Sequence, residues 1–267
     1  MRKYLRVFLL NLTEALSRRA SFMMERVRSL SLVLSLYFLW SALIGTGQGG
    51  DQFLGYTRSQ MLTYVLGLSL LRALVLSSRA FELTWEIARG RLSAHLMRPV
   101  NMFGYQFALD CSDKIIRLAA AVVEVGMLTF LLKADLYWPD SWANLAWALA
   151  CVGLALILYY LISLSLASSG FWSAESIGFL WAASLVMEFC SGAFFPLDVL
   201  PAAAREFLLM LPFPYLVYFP LNVYLERLNP QEIAAGIGIL LGWIGCFYFI
   251  VRSLWRRGLQ SYQAEGG

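Results

Sequence analysis

The sequence predicts an all-α polytopic membrane protein: six transmembrane helices, preceded by an N-terminal helix on the membrane surface and interrupted by re-entrant helices on the outer side. Composition is the first reason. Of 267 residues 60% are hydrophobic and 14% charged, with mean hydropathy +0.65, well beyond what a soluble domain needs to fill its core. Spacing is the second. Six apolar runs are separated by short connections, and six spans of about 20 residues use roughly 120, leaving no room for a soluble catalytic domain. Residues 1–267 are therefore expected to form one membrane domain. The net charge of +4 reflects topology rather than affinity for nucleic acid. Cys111, Cys151, Cys190 and Cys246 stand singly in or beside apolar runs, without metal-like pairing, and are expected to be reduced, small apolar residues.

Residues 1–28 carry seven basic side chains, Arg2, Lys3, Arg6, Arg18, Arg19, Arg26 and Arg28. Arg6 interrupts any signal-peptide core and no small-x-small cleavage site follows. Tyr4, Leu5, Phe8, Leu9, Leu12 and Leu16 instead share one helical face, opposite Arg2, Lys3, Arg6, Asn11 and Arg18, as expected for a helix lying on the inner membrane surface. Span one is expected over about Ser29 to Ile44, ended by the glycines from Gly45 to Gly50. Span two is expected over about Met61 to Ser78 and contains Arg72, near enough to the Arg79 end to snorkel or to join a local ion pair.

The segment 79–106 follows, with a polar island from Glu86 to Asn101. Arg89, Arg91 and Arg98 cluster beside the only histidine, His95, while Leu92 and Leu96 have the spacing of one helix face. Gly90 should break or hinge the preceding helix, Pro99 should end the following one, and Asn101 can cap the next. Charge and spacing alone fit a solvated loop equally well.

Span three, about Phe107 to Leu132, opens with Asp110, Asp113, Lys114 and Arg117. Asp110 with Lys114 and Asp113 with Arg117 are opposite charges at i,i+4, which would carry the helix as a polar rod into the cytoplasm. Glu124 stands among valines with no base in the adjoining turns, so it must be protonated, paired across helices or facing water. After a short turn at Trp138-Pro139-Asp140, span four runs over about Trp142 to Leu166 and a tight inner turn returns the chain. Span five, about Ile177 to Phe195, contains Glu188 and then Cys190-Ser191-Gly192-Ala193, small residues that suit close packing or line a path. Both carboxylates are expected to face the protein interior or a dimer seam rather than lipid.

In segment 195–231, Pro196, Pro201, Pro212, Pro214, Pro220 and Pro230 exclude a single span, so broken helices dipping into the outer half of the membrane are expected. Span six, about Glu232 to Val251, carries Gly236, Gly238, Gly242 and Gly245, a face suited to helix contact, and closes on Arg252, Arg256 and Arg257. Basic residues set the orientation. The N-terminal segment, the 79–106 loop and the C-terminus hold most of them, against only Arg58, Lys133, Arg205 and Arg227 in the opposite loops. Both termini and the island are therefore expected in the cytoplasm.

Two stretches resemble a known family. Glu86, then Gly90-Arg91-Leu92, then Leu96-Met97-Arg98-Pro99-Val100-Asn101 just after the second span is similar to the coupling-helix region of ABC-2 type (type-2 export class) ABC transporter permeases, in particular a small six-span bacterial branch. Phe194-Phe195-Pro196-Leu197 and Pro212-Phe213-Pro214-Tyr215, continuing to Tyr218-Phe219-Pro220, resemble the re-entrant outer segment of that branch. The resemblance covers nearly the whole chain. It implies a permease subunit in the inner membrane that exports a hydrophobic, amphipathic or lipid-linked molecule. It also implies ATP and Mg held by a separate ABC ATPase, into which Glu86, Gly90, Leu92, Leu96, Arg98 and Pro99 dock, and a second permease copy or relative. No Gly-x-x-x-x-Gly-Lys-Ser/Thr motif is present, so this chain is not expected to hydrolyse ATP or to hold a cofactor of its own. The alternatives are a membrane-embedded lipid-modifying transferase using Glu124 or Glu188 as acid or base, and an ion-coupled secondary transporter. The first lacks a nucleophile or metal-ligand set, and the second predicts inverted repeats that the sequence does not display.

Overall fold

The computed structural model describes residues 8–11, 19–46, 52–93, 101–173 and 175–262. The described chain is almost entirely helical. In order it forms α1 (Arg19–Thr46), a hairpin of two short strands β1 (Gln52–Phe53) and β2 (Tyr56–Thr57), then α2 (Arg58–Leu74), α3 (Ala80–Ala88), α4 (Met102–Leu132), α5 (Trp142–Ala167), α6 (Ser176–Cys190), α7 (Ala202–Leu209), α8 (Tyr218–Tyr224) and α9 (Pro230–Ser261). Three 3-10 turns, Ser168–Phe171, Leu197–Val199 and Phe213–Leu216, link the later elements.

Among the described residues, four stretches are long and apolar enough to cross a membrane: Phe22–Ile44, Met102–Leu132, Trp142–Phe171 and Pro230–Ser261. The remaining two expected spans are shorter, α2 with 17 residues and α6 with 15. The protein is thus an all-α polytopic membrane protein in which two helices are cut short by particular neighbours. The helix expected to begin at Ser29 extends back without a break to Arg19, so α1 takes in the last residues of the presumed surface segment. Of that segment's earlier part only residues 8–11 are described, and they are helical. There Leu9 and Leu10 face outward while Asn11 is buried, donating through Nδ2 to Ser112 and Asp113 of α4 and accepting from Arg79 at 3.0 Å.

Helix α2 is the centre of the bundle. Met61 to Leu66 are buried without interruption, which means that the helix is covered on all sides rather than along one stripe. It begins with a capping box, in which Gln60 N donates to Thr57 Oγ1 at 3.2 Å and Thr57 N donates to Gln60 Oε1 at 3.0 Å. It ends at Leu74 although the apolar run continues to Ser78. The ammonium of Lys114 on α4 donates to the carbonyls of Leu74 at 2.9 Å and Val75 at 3.4 Å and to that of Ser77. A helix end leaves its last carbonyls without partners, and here a buried cation from another helix supplies them. Lys114 also meets Asp110 at 3.4 Å, but both are buried. The expected polar extension of α4 is at this point part of the core. The pair expected between Asp110 and Lys114 thus forms, whereas that between Asp113 and Arg117 is replaced: Asp113 meets Arg79 at 3.5 Å, and Arg117 pairs with Glu25 of α1. Cross-helix partners win because they neutralise charge where two helices pack, whereas an exposed i,i+4 pair gains only about 0.3–0.5 kcal/mol.

Helix α6 stops at Cys190, five residues before the expected end, because Gly192 turns the chain with φ +82°. Its carbonyl accepts from the Tyr64 hydroxyl at 2.8 Å, which fixes this turn beside the middle of α2. From there the chain returns to the start of α2, where Asp198 accepts from Tyr56 at 2.7 Å and Tyr218 at 3.0 Å and pairs with Arg205 at 3.1 Å and Arg227 at 3.4 Å. Burial raises both phenols above their ordinary range, so they remain donors. The proline-rich stretch is thereby a series of short helices, as expected. Nearby, Glu226 accepts from Asn144 at 2.9 Å and Tyr137 at 2.7 Å; these bonds hold its carboxyl below the usual range, while burial and the same carboxylate push Tyr137 up to about 12. Helix α9 packs along α5, and Gly236 admits Phe219 of α8, whose ring would lie 2.2 Å from any Cβ there. A Cβ added at Gly238, Gly242 or Gly245, expected on a contact face, would meet nothing within 4 Å among the described residues.

Gly192→Ala tests the turn that shortens α6. A Cβ there would lie 2.9 Å from the Tyr64 hydroxyl and 3.1 Å from Tyr218 Cβ, at a φ that L side chains rarely adopt. The variant is expected to lose about 1–3 kcal/mol, read as a lower melting temperature in detergent. An unchanged melting temperature would show that the turn is not under this constraint.

Candidate functional site

Two features of the structure carry the sequence's candidate residues, one at the basic end of the bundle and one in its wall. The first is α3. It follows α2 after the irregular residues Val75–Arg79, where Arg79 is held by both Asn11 and Asp113. Its end is a complete Schellman motif: Arg91 N donates to Glu86 O at 2.9 Å and Gly90 N to Ile87 O at 3.1 Å, with Gly90 at φ +70°. Gly90 is thus the helix stop that the sequence suggested, and Leu92 and Ser93 begin a new helical turn. At the end of the island, Asn101 caps α4 by accepting from Gly104 N at 3.1 Å. Leu96, Arg98 and Pro99 lie outside the described residues.

Leu92 does not point outward, as a contact for a partner would require. It is 0% exposed and belongs to a cluster with Leu83, Ile87, Leu164, Leu180 and Trp255. The face of α3 that includes Ala80, Leu83, Thr84 and Ile87 is buried with it. Gly170 in the 3-10 turn allows that turn to approach α3, since a Cβ there would come within 2.7 Å of Thr84 O. Ser93 N donates to the Tyr262 hydroxyl at 3.1 Å, and Trp255 Nε1 donates to Leu164 O at 3.2 Å. The element is therefore seated on α5, the 3-10 turn and the end of α9. What it presents outward is Glu82, Trp85, Arg89 and Arg91, with Arg89 stacked 3.4 Å over the Trp85 ring. Together with Phe81, Glu86 and Ile177 these residues line an open recess of about 490 Å³. Glu82 and Trp85 precede the polar island and were not singled out from the sequence, although Trp85 and Arg89 stand at i,i+4.

The second feature is a cleft between α1, α2 and α6. Arg72 Nη2 meets Glu188 Oε2 at 3.3 Å and donates to Ala193 O at 2.9 Å, so it forms the local ion pair that its position allowed. Glu124 is 7% exposed, is held by Arg26 Nη1 at 3.2 Å and accepts from Ser29 Oγ at 3.1 Å. Of the three states open to it from the sequence, it takes pairing across helices. Each of the two carboxylates is engaged by a guanidinium from another helix. The two do not share a site: Glu188 lines the cleft with Glu25, Arg26, Arg28, Arg72 and Arg117, whereas Glu124 sits behind Arg26. The sequence treated Arg26 and Arg28 only as topological charge. Their helical phase with Glu25 was the available signal, once α1 is known to reach back to Arg19.

Removing one partner of a buried pair costs about 3–5 kcal/mol, because the other charge is left uncompensated. Arg26→Gln and Glu124→Gln are each expected to lower thermal stability strongly, and the double variant by less than the sum. Additive losses in a double-mutant cycle would show that the two do not interact.

No curated protein matches this chain in sequence. The family model described as ABC-2 family transporter protein matches residues 30–266, from near the start of the first span through the end of α9. That match covers the seated helix α3, the α2 and α6 walls of the cleft and the broken helices of the far end within one family frame, and the chain belongs to the ABC-2 family of transporter permeases.

Proposed function

We propose that this permease is the membrane subunit of an exporter for a hydrophobic, amphipathic or lipid-linked molecule, driven by a separate ABC ATPase that docks on α3 and the residues after it. The family assignment supports the ATPase partnership, because permeases of this family work with an ABC ATPase subunit. The observation that carries the docking site is the seating of α3. Its inner face is fixed to α5, the 3-10 turn and α9, and it follows α2 after a short irregular stretch, so a displacement at its outer face reaches four other parts of the bundle. A stacked aromatic and arginine pair on the outer face suits a protein interface, where Trp and Arg supply most of the binding free energy.

In this reading the basic end is cytoplasmic, ATP and Mg belong to the partner, and a second permease, a copy or a relative, completes the path. Leu92 acts by position: it locks the start of the second helical turn to the core. Leu96, Arg98 and Pro99 continue the same docking element. Glu124 and Glu188 hold the walls of the path together rather than carry protons.

The test replaces outward residues and leaves the buried face intact. Trp85→Ala and Arg91→Glu are expected to insert and fold normally but to lose about tenfold or more in co-purification with the ATPase and in substrate-stimulated ATP turnover. Leu92→Asp, in contrast, places a charge in the core and is expected to lower the melting temperature. Full ATPase retention and turnover in Trp85→Ala/Arg91→Glu would move the docking site elsewhere.

A further inference from the structure

We propose that the cleft between α1, α2 and α6 is a binding site for a phosphate group, presented by an anionic lipid headgroup or as free phosphate. Four arginines, Arg26, Arg28, Arg72 and Arg117, line the cleft, against two carboxylates, Glu25 and Glu188. Glu124 behind Arg26 brings the acids to three, so one cation is uncompensated. Arg28 is that cation: among the described residues it makes no ion pair, and its side chain is exposed at the cleft's edge.

Hydrogen bonding points the same way. The Ser69 hydroxyl lines the cleft, Ser69 is 3% exposed, and the hydroxyl has no partner among the described residues. Arg26 Nε and Arg72 Nε, in the same walls, also have none. Buried polar groups are almost always satisfied, so three unpartnered groups beside one cavity mark a place for an acceptor, which side-chain rotation must uncover because each atom is covered in this structure. The two nitrogens can only donate and the hydroxyl readily does, so the fitting ligand is rich in acceptors and negatively charged. Arginine's planar fork favours phosphate among such groups. The cleft's volume is about 100 Å³, well above the roughly 10–15 Å³ that a single water requires, so a tetrahedral oxyanion has room there. Apolar Leu32, Val33 and Leu76 complete the lining, so a charged head and the first carbons of an attached chain would both be accommodated.

Glu188 supplies a distinguishing sign. Its carboxylate occupies Arg72 at 3.3 Å and thus competes with an incoming anion for the same guanidinium. The site requires no ATPase, so it stands or falls separately from the docking reading.

The test uses the full-length permease in an uncharged detergent. Native mass spectrometry measures binding of phosphatidic acid, with diacylglycerol as the chain-only comparison, and ³¹P NMR measures binding of inorganic phosphate. One phosphatidic acid per chain is expected, with diacylglycerol not retained. Arg28→Gln, at an exposed position that the fold does not use, is expected to weaken binding about tenfold, and Ser69→Ala severalfold. Glu188→Gln is expected to tighten it, whereas a purely structural carboxylate would leave affinity unchanged or lower. Retention of phosphatidic acid without free phosphate assigns the group to a lipid headgroup; equal affinity for both assigns it to free phosphate. Absence of both, retention of diacylglycerol equal to phosphatidic acid, or affinities unmoved by Arg28→Gln and Glu188→Gln would overturn the proposal.

Discussion

A charge placed among apolar helices must find its counter-charge on another helix, and this constraint shapes the bundle. Arg26 and Glu124 join α1 to α4, Arg72 and Glu188 join α2 to α6, and Lys114 of α4 closes the open end of α2. Such pairs add little net stability, since desolvation offsets most of the Coulomb attraction. Their effect is on register. A helix that slid by one turn past its neighbour would leave a guanidinium or a carboxylate alone in a medium where that costs several kcal/mol.

Helix α2 connects these constraints along its length. Its first residues follow Tyr56, which donates to Asp198 at the far end; its middle holds the Gly192 turn through Tyr64; its last turns carry Arg72 and are capped by Lys114. It then passes through Arg79 into α3. The helix that touches the broken outer segment is therefore the one that leads directly into the element seated at the basic end.

The sequence made the fold class legible because composition and run length are properties of the membrane as solvent, not of any partner. It also revealed local punctuation: Gly90 ends a helix, Asn101 begins one, and six prolines break the outer segment. What it could not reveal depended on distant residues. The apolar run to Ser78 gives no sign that Lys114 will take the carbonyls of Leu74 and Ser77, so span two was read too long. Asp113 and Arg117 looked like mutual partners because they are near in sequence, while Arg79 and Glu25, their actual partners, are visible only in space. Periodicity grouped Leu92 with one helical face but could not say whether that face turned inward, and it does. For the same reason Glu82 and Trp85 went unmarked. The coupling role proposed for the island rests on family resemblance, since its charge and spacing suit a solvated loop equally well.

Site-specific cross-linking offers the most direct test of the central claim, that an ABC ATPase engages the outer face of α3. The four free cysteines would be replaced by serine, and a single cysteine introduced at Glu82, at Arg91 or, for comparison, at Arg256 of α9, in membranes co-expressing the ATPase. The account predicts cross-links from positions 82 and 91, with a yield that changes when ATP is added, and none from 256. Cross-linking from 256 alone, or an active complex with no cross-link at 82 or 91, would contradict it.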